Sequence, residues 1–322
     1  MKAIVVSELG GPEQLEFVDQ PDPTPGDNDV LIEVEAAGVN FIDTYHRTGL
    51  YDVGLPFIPG LEGAGVVLEV GAAVEDLAVG TRVGWVNGQG SYAERVVVQS
   101  DKAIPVPDAI SSETAAALLL QGLTAHYLAT DTYPLDADTT CLIHAGAGGV
   151  GLLLTQIARI KGARVITTVG TANKAELSRG AGAWEVILYR DHDFATETER
   201  LVGPNGVDVV YDGVGAATFM RGLDVLRPRG LMVTYGNASG PVPEISPLLL
   251  AKKGSLFLTR PTMAHYLQKP NELTNRAADL FAWVQSGEVE VRIGDDYDLE
   301  DARDAHIALE ARKTTGKVLL HP

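Results

Sequence analysis

The stretch Cys141 to Gly151 reads Cys-Leu-Ile-His-Ala-Gly-Ala-Gly-Gly-Val-Gly, a short apolar run that leads directly into closely spaced glycines. Gly146, Gly148 and Gly151 fit the G-x-G-x-x-G spacing, which is typical of a strand, a tight turn and the start of a helix. Small residues there let a pyrophosphate approach the backbone, and the first N–H groups of the helix point at it. Glycine-rich turns also occur for packing reasons. The surrounding sequence therefore has to decide between a phosphate-binding turn and a turn that only packs.

The residues that follow favour a dinucleotide site. Val150 to Lys161 carries apolar side chains at helical spacing and is followed by Gly162, a natural stop. The β-branched run Ala163 to Val169 completes a βαβ unit of roughly 30 residues. Four more strands are predicted farther along, which gives the six strands of a doubly wound parallel sheet, a Rossmann fold. These strands are Val186 to Tyr189, Val207 to Asp212, Leu231 to Tyr235 and Ser255 to Thr259.

Two of these strands end in glycine-containing turns. Asp212-Gly213-Val214-Gly215 follows one strand, and Gly236-Asn237-Ala238-Ser239-Gly240 follows the next. Because the carboxyl ends of parallel strands face the ligand crevice of an open sheet, both turns are candidate cofactor contacts. The residues predicted to make these contacts are Gly213, Gly236, Asn237, Ala238 and Ser239.

The first third of the chain has a different pattern, with short β runs between Gly and Pro residues, and predicts a β-rich, barrel-like domain. Two segments interrupt the strands, Gly38 to Tyr51 and Pro59 to Gly63, and we interpret them as loops that carry site residues. The predicted strands are Ala3 to Val6, Val30 to Ala36, Gly65 to Val70, Arg82 to Val86 and Tyr92 to Val98.

A helix from Ser111 to Ala129 leads into the second domain. Past Arg260-Pro261 the βα alternation stops, and we expect the tail to return to the first domain. The predicted boundaries are 1–122 for the first part of the β-rich domain, 123–261 for the Rossmann domain and 262–322 for the return. The predicted tail elements are a helix at Glu272 to Ser286, a strand at Glu288 to Gly294, a helix at Leu299 to Ala311 and a strand at Lys317 to His321.

The amino-acid composition argues against several classes of protein. The 322 residues, 45% of them hydrophobic, suffice for two cores, and the formal net charge of −18 argues against a nucleic-acid partner. No apolar run approaches the ~20 residues of a membrane span and no signal-peptide core is present, so we expect a cytoplasmic protein with no membrane partner. The one cysteine, Cys141, lies in an apolar strand and is predicted to be an inert, buried thiol.

Several motifs together resemble the quinone oxidoreductase branch of the zinc-independent medium-chain dehydrogenase/reductase family, the zeta-crystallin-like proteins, from end to end. The resemblance implies a GroES-like catalytic domain built from both chain ends, a Rossmann domain between them, and a cleft where nicotinamide meets substrate. The motifs are Gly38-Val39-Asn40-Phe41-Ile42-Asp43, Pro59-Gly60-Leu61-Glu62-Gly63, His144 to Gly151, Gly170-Thr171-Ala172-Asn173-Lys174, Tyr235-Gly236-Asn237, Thr259-Arg260-Pro261 and Glu310-Ala311-Arg312 followed by Gly316.

The resemblance bears on metal binding. Zinc-dependent members of the wider superfamily have a Cys at the Asn40 position and a His at the Leu61 position, and neither ligand is present here. Zinc needs Cys, His or carboxylate ligands in tetrahedral sets, so we expect no metal. The seven histidines show no paired ligand spacing and are expected to be surface or structural residues. Without a Lewis acid, the reaction must suit an electrophile that accepts hydride readily, such as a quinone or a conjugated carbonyl.

The resemblance also implies site residues. Asn40, Tyr45 and Thr124 are placed near the nicotinamide as catalytic residues that orient the carboxamide or substrate oxygen, although a loop Asn, a packed Tyr and a helix Thr are the plain alternatives. Tyr51 lines the same cleft or packs, and Glu62 is expected to be structural. Cofactor contacts are expected from Phe41, Ile42, Asp43, Gly146, Gly148, Gly149, Val150, Gly151, Leu258 and Arg260.

The residues after the second Rossmann strand predict NADPH rather than NADH. An NAD enzyme normally has an Asp or Glu about 20 residues beyond the glycine motif, and the segment from Gly170 to Lys174 has no acid. The Thr171 hydroxyl and the Lys174 ammonium can donate to a 2′-phosphate. By resemblance, Tyr189 and Arg312 surround the same phosphate, although Arg312 is also compatible with a solvated arginine at a helix end.

The leading hypothesis is therefore an NADPH-dependent quinone reductase. Reduction of an alkenal or enone carbon–carbon bond is the alternative, and it would need a proton donor that sequence does not identify. A hypothesis of another class is a crystallin-like structural or RNA-binding protein that retains the cofactor fold. The net charge of −18 argues against the binding of RNA. The apolar strand Ser255 to Thr259 at the sheet edge predicts a homodimer.

Overall fold

The computed structural model describes residues 1–269 and 271–322, and the chain divides into two compact units. Unit 1 comprises Met1–Leu123, Asn271–Gly287 and Val291–Pro322. Unit 2 comprises Thr124–Pro270 and the short segment Glu288–Glu290. The chain thus leaves unit 1 after Leu123 and contributes its last strands to unit 1 again.

The strands and helices follow one another along both units. The strands are β1 (Lys2–Val5), β2 (Glu16–Asp19), β3 (Asp29–Val39), β4 (Glu62–Val70), β5 (Arg82–Val86), β6 (Arg95–Gln99), β7 (Ala103–Pro105), β8 (Thr140–His144), β9 (Arg164–Val169), β10 (Glu185–Leu188), β11 (Val207–Asp212), β12 (Leu226–Thr234), β13 (Phe257–Thr259), β14 (Ile293–Asp298) and β15 (Lys317–His321). The helices are α1 (Phe41–Thr48), α2 (Ser112–Tyr127), α3 (Gly149–Ile160), α4 (Ala172–Gly180), α5 (Phe194–Val202), α6 (Phe219–Gly222), α7 (Pro247–Lys252), α8 (Glu272–Ser286) and α9 (Ala302–Glu310).

Unit 1 is organised around the long strand β3. Its sheet has the order β14-β15-β3-β4-β5-β7, and β6 pairs with β3 as well. β3 is antiparallel to both β15 and β4, with Val39 opposite Val318 and Ala37 opposite Gly63. This register brings the start of β15 and the start of β4 to the two sides of Gly38. Trp85, Tyr92 and Ile32 are among the fully buried side chains of the core.

Unit 2 contains a parallel sheet with the order β10-β9-β8-β11-β12-β13. Counted from β8, the strand order is 3-2-1-4-5-6, the order of a doubly wound dinucleotide-binding sheet. β8 and β11 are neighbours on either side of the point where the chain reverses its winding, and β8 is buried along its whole length. The predicted fold class, a Rossmann sheet with a GroES-like β-rich domain, is confirmed.

Three predicted segments differ from the structure. Pro59 to Gly63 was interpreted as a loop, but β4 already begins at Glu62. The segment Gly38 to Tyr51, interpreted as a loop, contains the helix α1, which ends at Gly49 in the left-handed region with φ 78°. The predicted strand Glu288 to Gly294 is replaced by β14, which begins at Ile293. β14 is largely exposed and rich in aspartate, so it has no apolar alternation that could have revealed it. No helix in the described part of the chain is both long and apolar enough to span a bilayer.

Candidate active site

The glycine-rich turn lies between β8 and α3, as the sequence predicts, and α3 begins at Gly149 with Gly148 as its N-cap. A Cβ on Gly151 would lie 2.3 Å from the Ala145 carbonyl oxygen, so only glycine lets the first turn of α3 pack this closely on the preceding loop. The first N–H groups of a helix have no carbonyl partner inside it. The turn therefore offers backbone donors to a phosphate group.

A second set of donors surrounds Gly170, directly after β9. A Cβ on Gly170 would lie 2.7 Å from the Tyr189 hydroxyl and 3.3 Å from Arg190 Nε. Thr171 is the N-cap of α4 and accepts a hydrogen bond from the Lys174 backbone N–H at 3.4 Å. Burial lowers the pKa of the Lys174 ammonium, and the neighbouring charge of Arg190 lowers it further. A cation and a phenol thus lie against Gly170, and a second cation, Lys174, lies within electrostatic reach of the first.

Sequence reasoning missed Arg190 in this cluster. Arg190 directly follows Tyr189 at the carboxyl end of β10. β10 pairs with β9, and β9 leads into the segment from Gly170 to Lys174, so this position was the signal. Arg312, assigned to the same phosphate by resemblance, belongs to unit 1 and follows α9 in the left-handed region with φ 57°.

The turns after β11 and β12 lie against each other, and the Asp212 carboxylate shapes the first of them. Its Oδ1 accepts hydrogen bonds from the Val214 and Gly215 N–H groups at 2.7 and 3.0 Å, which shapes the turn containing Gly213. A Cβ on Gly236 would lie 2.4 Å from the Gly213 carbonyl oxygen, so the two turns touch through their backbones.

The predicted contact residues beyond these turns also belong to unit 2. Arg260 donates to the carbonyl oxygens of Thr234 and Gly236 at 2.9 and 3.1 Å. Ser239 Oγ donates to the Val214 carbonyl oxygen at 2.8 Å, and the Ala238 N–H donates to the Gly213 carbonyl oxygen at 3.2 Å. Gly213, the segment Gly236 to Ser239 and Arg260 are thus brought together, while Leu258 lies on β13 with a partly exposed side chain.

In unit 1, Asn40 is the centre of a buried cluster, which we name the Asn40 cluster: Gly38, Asn40, Glu62, Gln121 and Lys317. Asn40 Nδ2 donates to Glu62 Oε1 at 2.6 Å and to the Gly38 carbonyl oxygen at 3.3 Å. Asn40 Oδ1 accepts from Lys317 Nζ at 2.9 Å and from Gln121 Nε2 at 3.3 Å. Lys317 also donates to Glu62 Oε1, and the side chains of this ion pair are 1% and 0% exposed.

The amide of Asn40 is therefore fully engaged within unit 1. A hydrogen bond from Asn40 to a carboxamide or substrate oxygen, as predicted from the resemblance, would have to replace one of these four contacts. Glu62 accepts a further hydrogen bond from the Leu120 N–H at 2.8 Å, which agrees with the expected structural role of this carboxylate. Lys317 and Gln121 were missed because the residues they contact are far away in the sequence.

A second network holds the backbone of Asn40. Asp43 Oδ2 accepts from the Asn40 N–H at 2.8 Å and from the Tyr92 hydroxyl at 3.0 Å. Arg47 can only donate, so its Nη1 donates to His306 Nδ1 at 2.9 Å. The ring proton of His306 is therefore on Nε2, which lies 3.1 Å from the Tyr92 hydroxyl oxygen. Arg47 also pairs with both oxygens of Glu310 at 2.9 and 3.0 Å.

Burial dominates the electrostatics of these networks. It raises the pKa of Asp43 to about 7, against the opposing hydrogen bonds from Asn40 and Tyr92. Burial together with the Arg47 charge lowers the pKa of His306 to about 3, in agreement with a neutral ring. Burial lowers the pKa of Lys317 while the Glu62 carboxylate raises it. Asp43 Oδ1 has no hydrogen-bond partner among the described residues.

The remaining predicted residues lie in both units. Tyr45 is buried on α1, and its ring packs edge-on against Tyr51 with 5.3 Å between centroids. Phe41 and Ile42 are half-buried on the first turn of the same helix. Thr124 belongs to unit 2, is buried on α2 and hydrogen-bonds the Tyr127 side chain.

The residues at the predicted zinc-ligand positions do not fit a zinc ion. Asn40 and Leu61 offer no anionic or imidazole ligand, and the described residues contain no group of three His, Cys, Asp or Glu side chains that could hold a metal. The Lys317 ammonium, in contact with Asn40, would also repel a second cation there. Cys141 is fully buried on β8, and burial raises the pKa of its thiol to about 12, as expected of an inert cysteine.

Known proteins resemble the chain over its full length. Family models match at residues 26–108, described as alcohol dehydrogenase GroES-like domain, and at 181–320, described as zinc-binding dehydrogenase. A quinone oxidoreductase of Pseudomonas aeruginosa is 43% identical over 100% of this chain and 99% of its own. A 2-haloacrylate reductase of a Burkholderia species is 38% identical over 99% and 98%.

Solved structures give the same result. The Escherichia coli quinone oxidoreductase complexed with NADPH superposes with a TM-score of 0.98 at 43% identity, with all of both chains covered. A mycobacterial protein complexed with NADPH gives a TM-score of 0.97 at 49% identity, also with full coverage of both chains.

Proposed function

The chain belongs to the quinone oxidoreductase branch of the medium-chain dehydrogenase/reductase family, and from this membership we propose that it is an NADPH-dependent reductase of quinones. The observation that carries the proposal is the donor cluster after β9. Tyr189 and Arg190 lie against Gly170, and Lys174 belongs to the segment from Gly170 to Lys174, which has no carboxylate. Such donors suit the 2′-phosphate that distinguishes NADPH from NADH.

Bound NADPH supplies a hydride, and a quinone that takes up this hydride and one proton becomes a hydroquinone. The residues of the protein bind and orient. The glycine turn before α3 holds the pyrophosphate, and the cations near Gly170 hold the 2′-phosphate. Phe41, Ile42 and Asp43 accompany the nicotinamide end, while Tyr45 and Thr124 orient the carboxamide or the substrate oxygen. Asn40 contributes through the Asn40 cluster, because its amide is already engaged.

We include independence from zinc in the proposal. Quinones accept hydride without a Lewis acid, and the protein then contributes proximity and orientation. The donor set at Asn40 and Leu61 supports this interpretation.

Reduction of a conjugated carbon–carbon double bond is the second candidate, favoured by the similarity to a 2-haloacrylate reductase. That reaction needs a proton donor at the carbon next to the carbonyl group. Tyr45 is the candidate donor in the predicted site.

Steady-state oxidation of NADPH with a panel of quinones and enones tests both candidates. We expect turnover with quinones and a much smaller kcat/KM with enones. A preference for enones by tenfold or more would select the second candidate, and no turnover with either class would overturn the proposal.

We also propose a homodimer. β13 is the last strand of the unit 2 sheet, and among the described residues it pairs only with β12, so its outer edge offers backbone groups to a second copy. Phe257 on β13 and Leu248 on α7 are 61% and 70% exposed, which is unusual for large apolar side chains.

A further inference from the structure

Two buried hydroxyl groups join β9 to α4 inside unit 2. Thr167 on β9 and Ser178 on α4 are both fully shielded from solvent, and their hydroxyl oxygens lie 2.7 Å apart in a hydrogen bond. A methyl group in place of one hydroxyl would need about 3.5 Å, the contact distance of non-bonded heavy atoms. The hydrogen bond therefore lets α4 lie closer to β9 than apolar side chains of the same shape would allow.

The glycine turn before α3 rests on the same two side chains. A Cβ on Gly146 would lie 2.5 Å from Thr167 Cβ and 2.9 Å from Ser178 Oγ, so the absent side chain brings the turn against both β9 and α4. Ala147, the next residue of the turn, belongs to one buried cluster with Ala175 on α4. The turn, the strand and the helix thus meet at the pair of hydroxyls.

The other end of α4 carries residues of the proposed 2′-phosphate site. Thr171 caps the N-terminus of this helix, and Lys174 lies on its first turn. Ser178 follows Lys174 by four residues, about one helical turn. Because the backbone hydrogen bonds of a helix keep its turns together, a displacement of α4 at Ser178 also displaces Lys174. The spacing between the glycine turn and Lys174 therefore depends on how closely α4 packs at the hydroxyl pair.

Stability alone does not account for two buried hydroxyls at this contact. A hydrogen bond between neutral groups adds little net stability, because both groups lose their water on burial, and an apolar pair of the same shape can be equally stable. The hydrogen bond differs from an apolar contact in its short distance and its directionality. The hydroxyl pair thus fixes where α4 lies more closely than packing would.

We propose that Thr167 and Ser178 are positioning residues that set the distance between the glycine turn and the first turn of α4, and with it the selectivity for the 2′-phosphate. This inference rests on the proposed function, which assigns the pyrophosphate to the turn and the 2′-phosphate to the Lys174 segment. NADPH has to reach both segments at once, whereas NADH has no 2′-phosphate. A displacement of α4 should therefore weaken the binding of NADPH more than that of NADH.

Thr167→Val tests this proposal, because it exchanges the hydroxyl for a methyl group of nearly the same size. Dissociation constants of NADPH and NADH are measured by fluorescence titration without a quinone, so the readout is binding rather than turnover. We expect the wild-type protein to prefer NADPH, and Thr167→Val to reduce this preference roughly three- to tenfold, a part of the effect of one charged hydrogen bond. Thr167→Ser keeps the hydroxyl and should keep the wild-type preference, even where urea unfolding shows a loss of stability.

Ser178→Ala removes the same hydrogen bond from the side of the helix and should also reduce the preference. It takes the place of Thr167→Val if that variant fails to fold. Thr198→Val is the matched control, because it removes another fully buried hydroxyl, which donates to the Phe194 carbonyl oxygen at 2.7 Å within α5. This control should keep the wild-type preference.

An unchanged preference in Thr167→Val, or in Ser178→Ala where it takes that place, would overturn the inference without affecting the proposed function. Equal weakening of NADPH and NADH would do the same, since it would show a merely structural role. A wild-type protein that does not prefer NADPH would overturn the proposed phosphate site and the inference with it. Absence of quinone turnover together with the expected preferences would overturn the proposed function alone.

Discussion

Lys174 carries a positive charge on the first turn of α4, directly after Thr171 caps that helix, and the Arg190 charge acts on it. The 2′-phosphate is proposed to bind there. Lys174→Ala removes a charged donor and should raise the KM for NADPH on the order of tenfold, the effect of losing about 1.5–3 kcal/mol from one charged hydrogen bond. The KM for NADH should hardly change, because NADH lacks that phosphate. Steady-state kinetics with both cofactors measure the difference.

Lys161→Ala is the control for this prediction, because Lys161 is an exposed lysine at the C-terminal end of α3 and its substitution removes the same charge. It should leave both KM values unchanged. Equal losses with NADPH and NADH in Lys174→Ala, or a wild-type preference for NADH, would show that the phosphate is bound elsewhere.

Gly38 lies where the structure leaves no room for a side chain. In Gly38→Ala the new Cβ would lie 2.5 Å from Lys317 Cε and 2.6 Å from Glu62 Oε1. It would also lie 2.8 Å from the Ala116 carbonyl oxygen, a backbone atom that cannot turn away. We expect the free energy of unfolding to fall by about 1–3 kcal/mol, as for other overpacked sites. Urea unfolding measures the change. Gly54→Ala, whose Cβ would meet nothing within 4 Å, should have little effect, and equal losses in both variants would contradict the crowding argument.

At this scale the sequence identifies residues that belong to a local motif. The glycine turn before α3 and the segment Gly170 to Lys174 could be predicted because their spacing carries the chemistry. Gln121, Arg190 and Lys317 could not, because each acquires its role from a neighbour that only the folded chain supplies. Lys317, for example, contacts an asparagine 277 residues away.

Asp43, on the first turn of α1, makes the free energy of unfolding depend on pH. The carboxyl group of Asp43 has a pKa of about 7 in the folded protein, compared with an ordinary value of 3.8. The folded state therefore binds this proton more tightly than the unfolded state does, so the free energy of unfolding falls as pH rises from about 4 to about 7. Above pH 7 this contribution of Asp43 stays constant.

Asp43→Asn should remove this pH dependence, because the amide does not titrate. Between pH 5 and pH 8 the wild-type protein should lose about 2–3 kcal/mol of unfolding free energy relative to the variant. Urea unfolding of both proteins at the two pH values measures the difference, and the other titrating groups cancel in the comparison. Parallel pH profiles would show that Asp43 does not carry a raised pKa.

Elements with a strong apolar period were predictable. β8, α3 and β9 follow from a buried run, a helical spacing and a β-branched run, and β11, α8 and β15 have the predicted bounds. α1 was not predictable because its eight residues include only a short apolar stretch. Its N-terminus is capped by the Asp43 carboxylate, which accepts from the Asn40 N–H. β14 is an exposed edge strand next to β15, defined by its partner rather than by its own pattern.

For the molecule as a whole, the proposed homodimer gives a prediction about mass. Sedimentation at micromolar concentration should give about twice the 34.1 kDa of one chain. Phe257→Glu should shift the equilibrium toward the monomer, because it puts a charge on the proposed edge. Val79→Glu is the control, since Val79 is 63% exposed in unit 1 and its substitution should leave the dimer intact. A wild-type protein that sediments as a monomer would refute the homodimer.

Metal removal is a second test of the whole molecule. Since Asn40 and Leu61 are not zinc ligands, quinone reduction should continue at an unchanged rate after dialysis against EDTA. The rate before and after dialysis, with and without added zinc, is the measurement. Loss of activity that zinc restores would show that a metal site exists in another place.

The crossing of the ion pair over Gly38 constrains how the chain can change during evolution. A larger residue at 38 collides with the pair, and loss of Lys317 leaves the Glu62 carboxylate buried without its partner. Each single substitution is therefore harmful while the other two residues remain. Gly38, Glu62 and Lys317 are expected to be inherited together, so that among related sequences their identities covary although the first and last are separated by most of the chain.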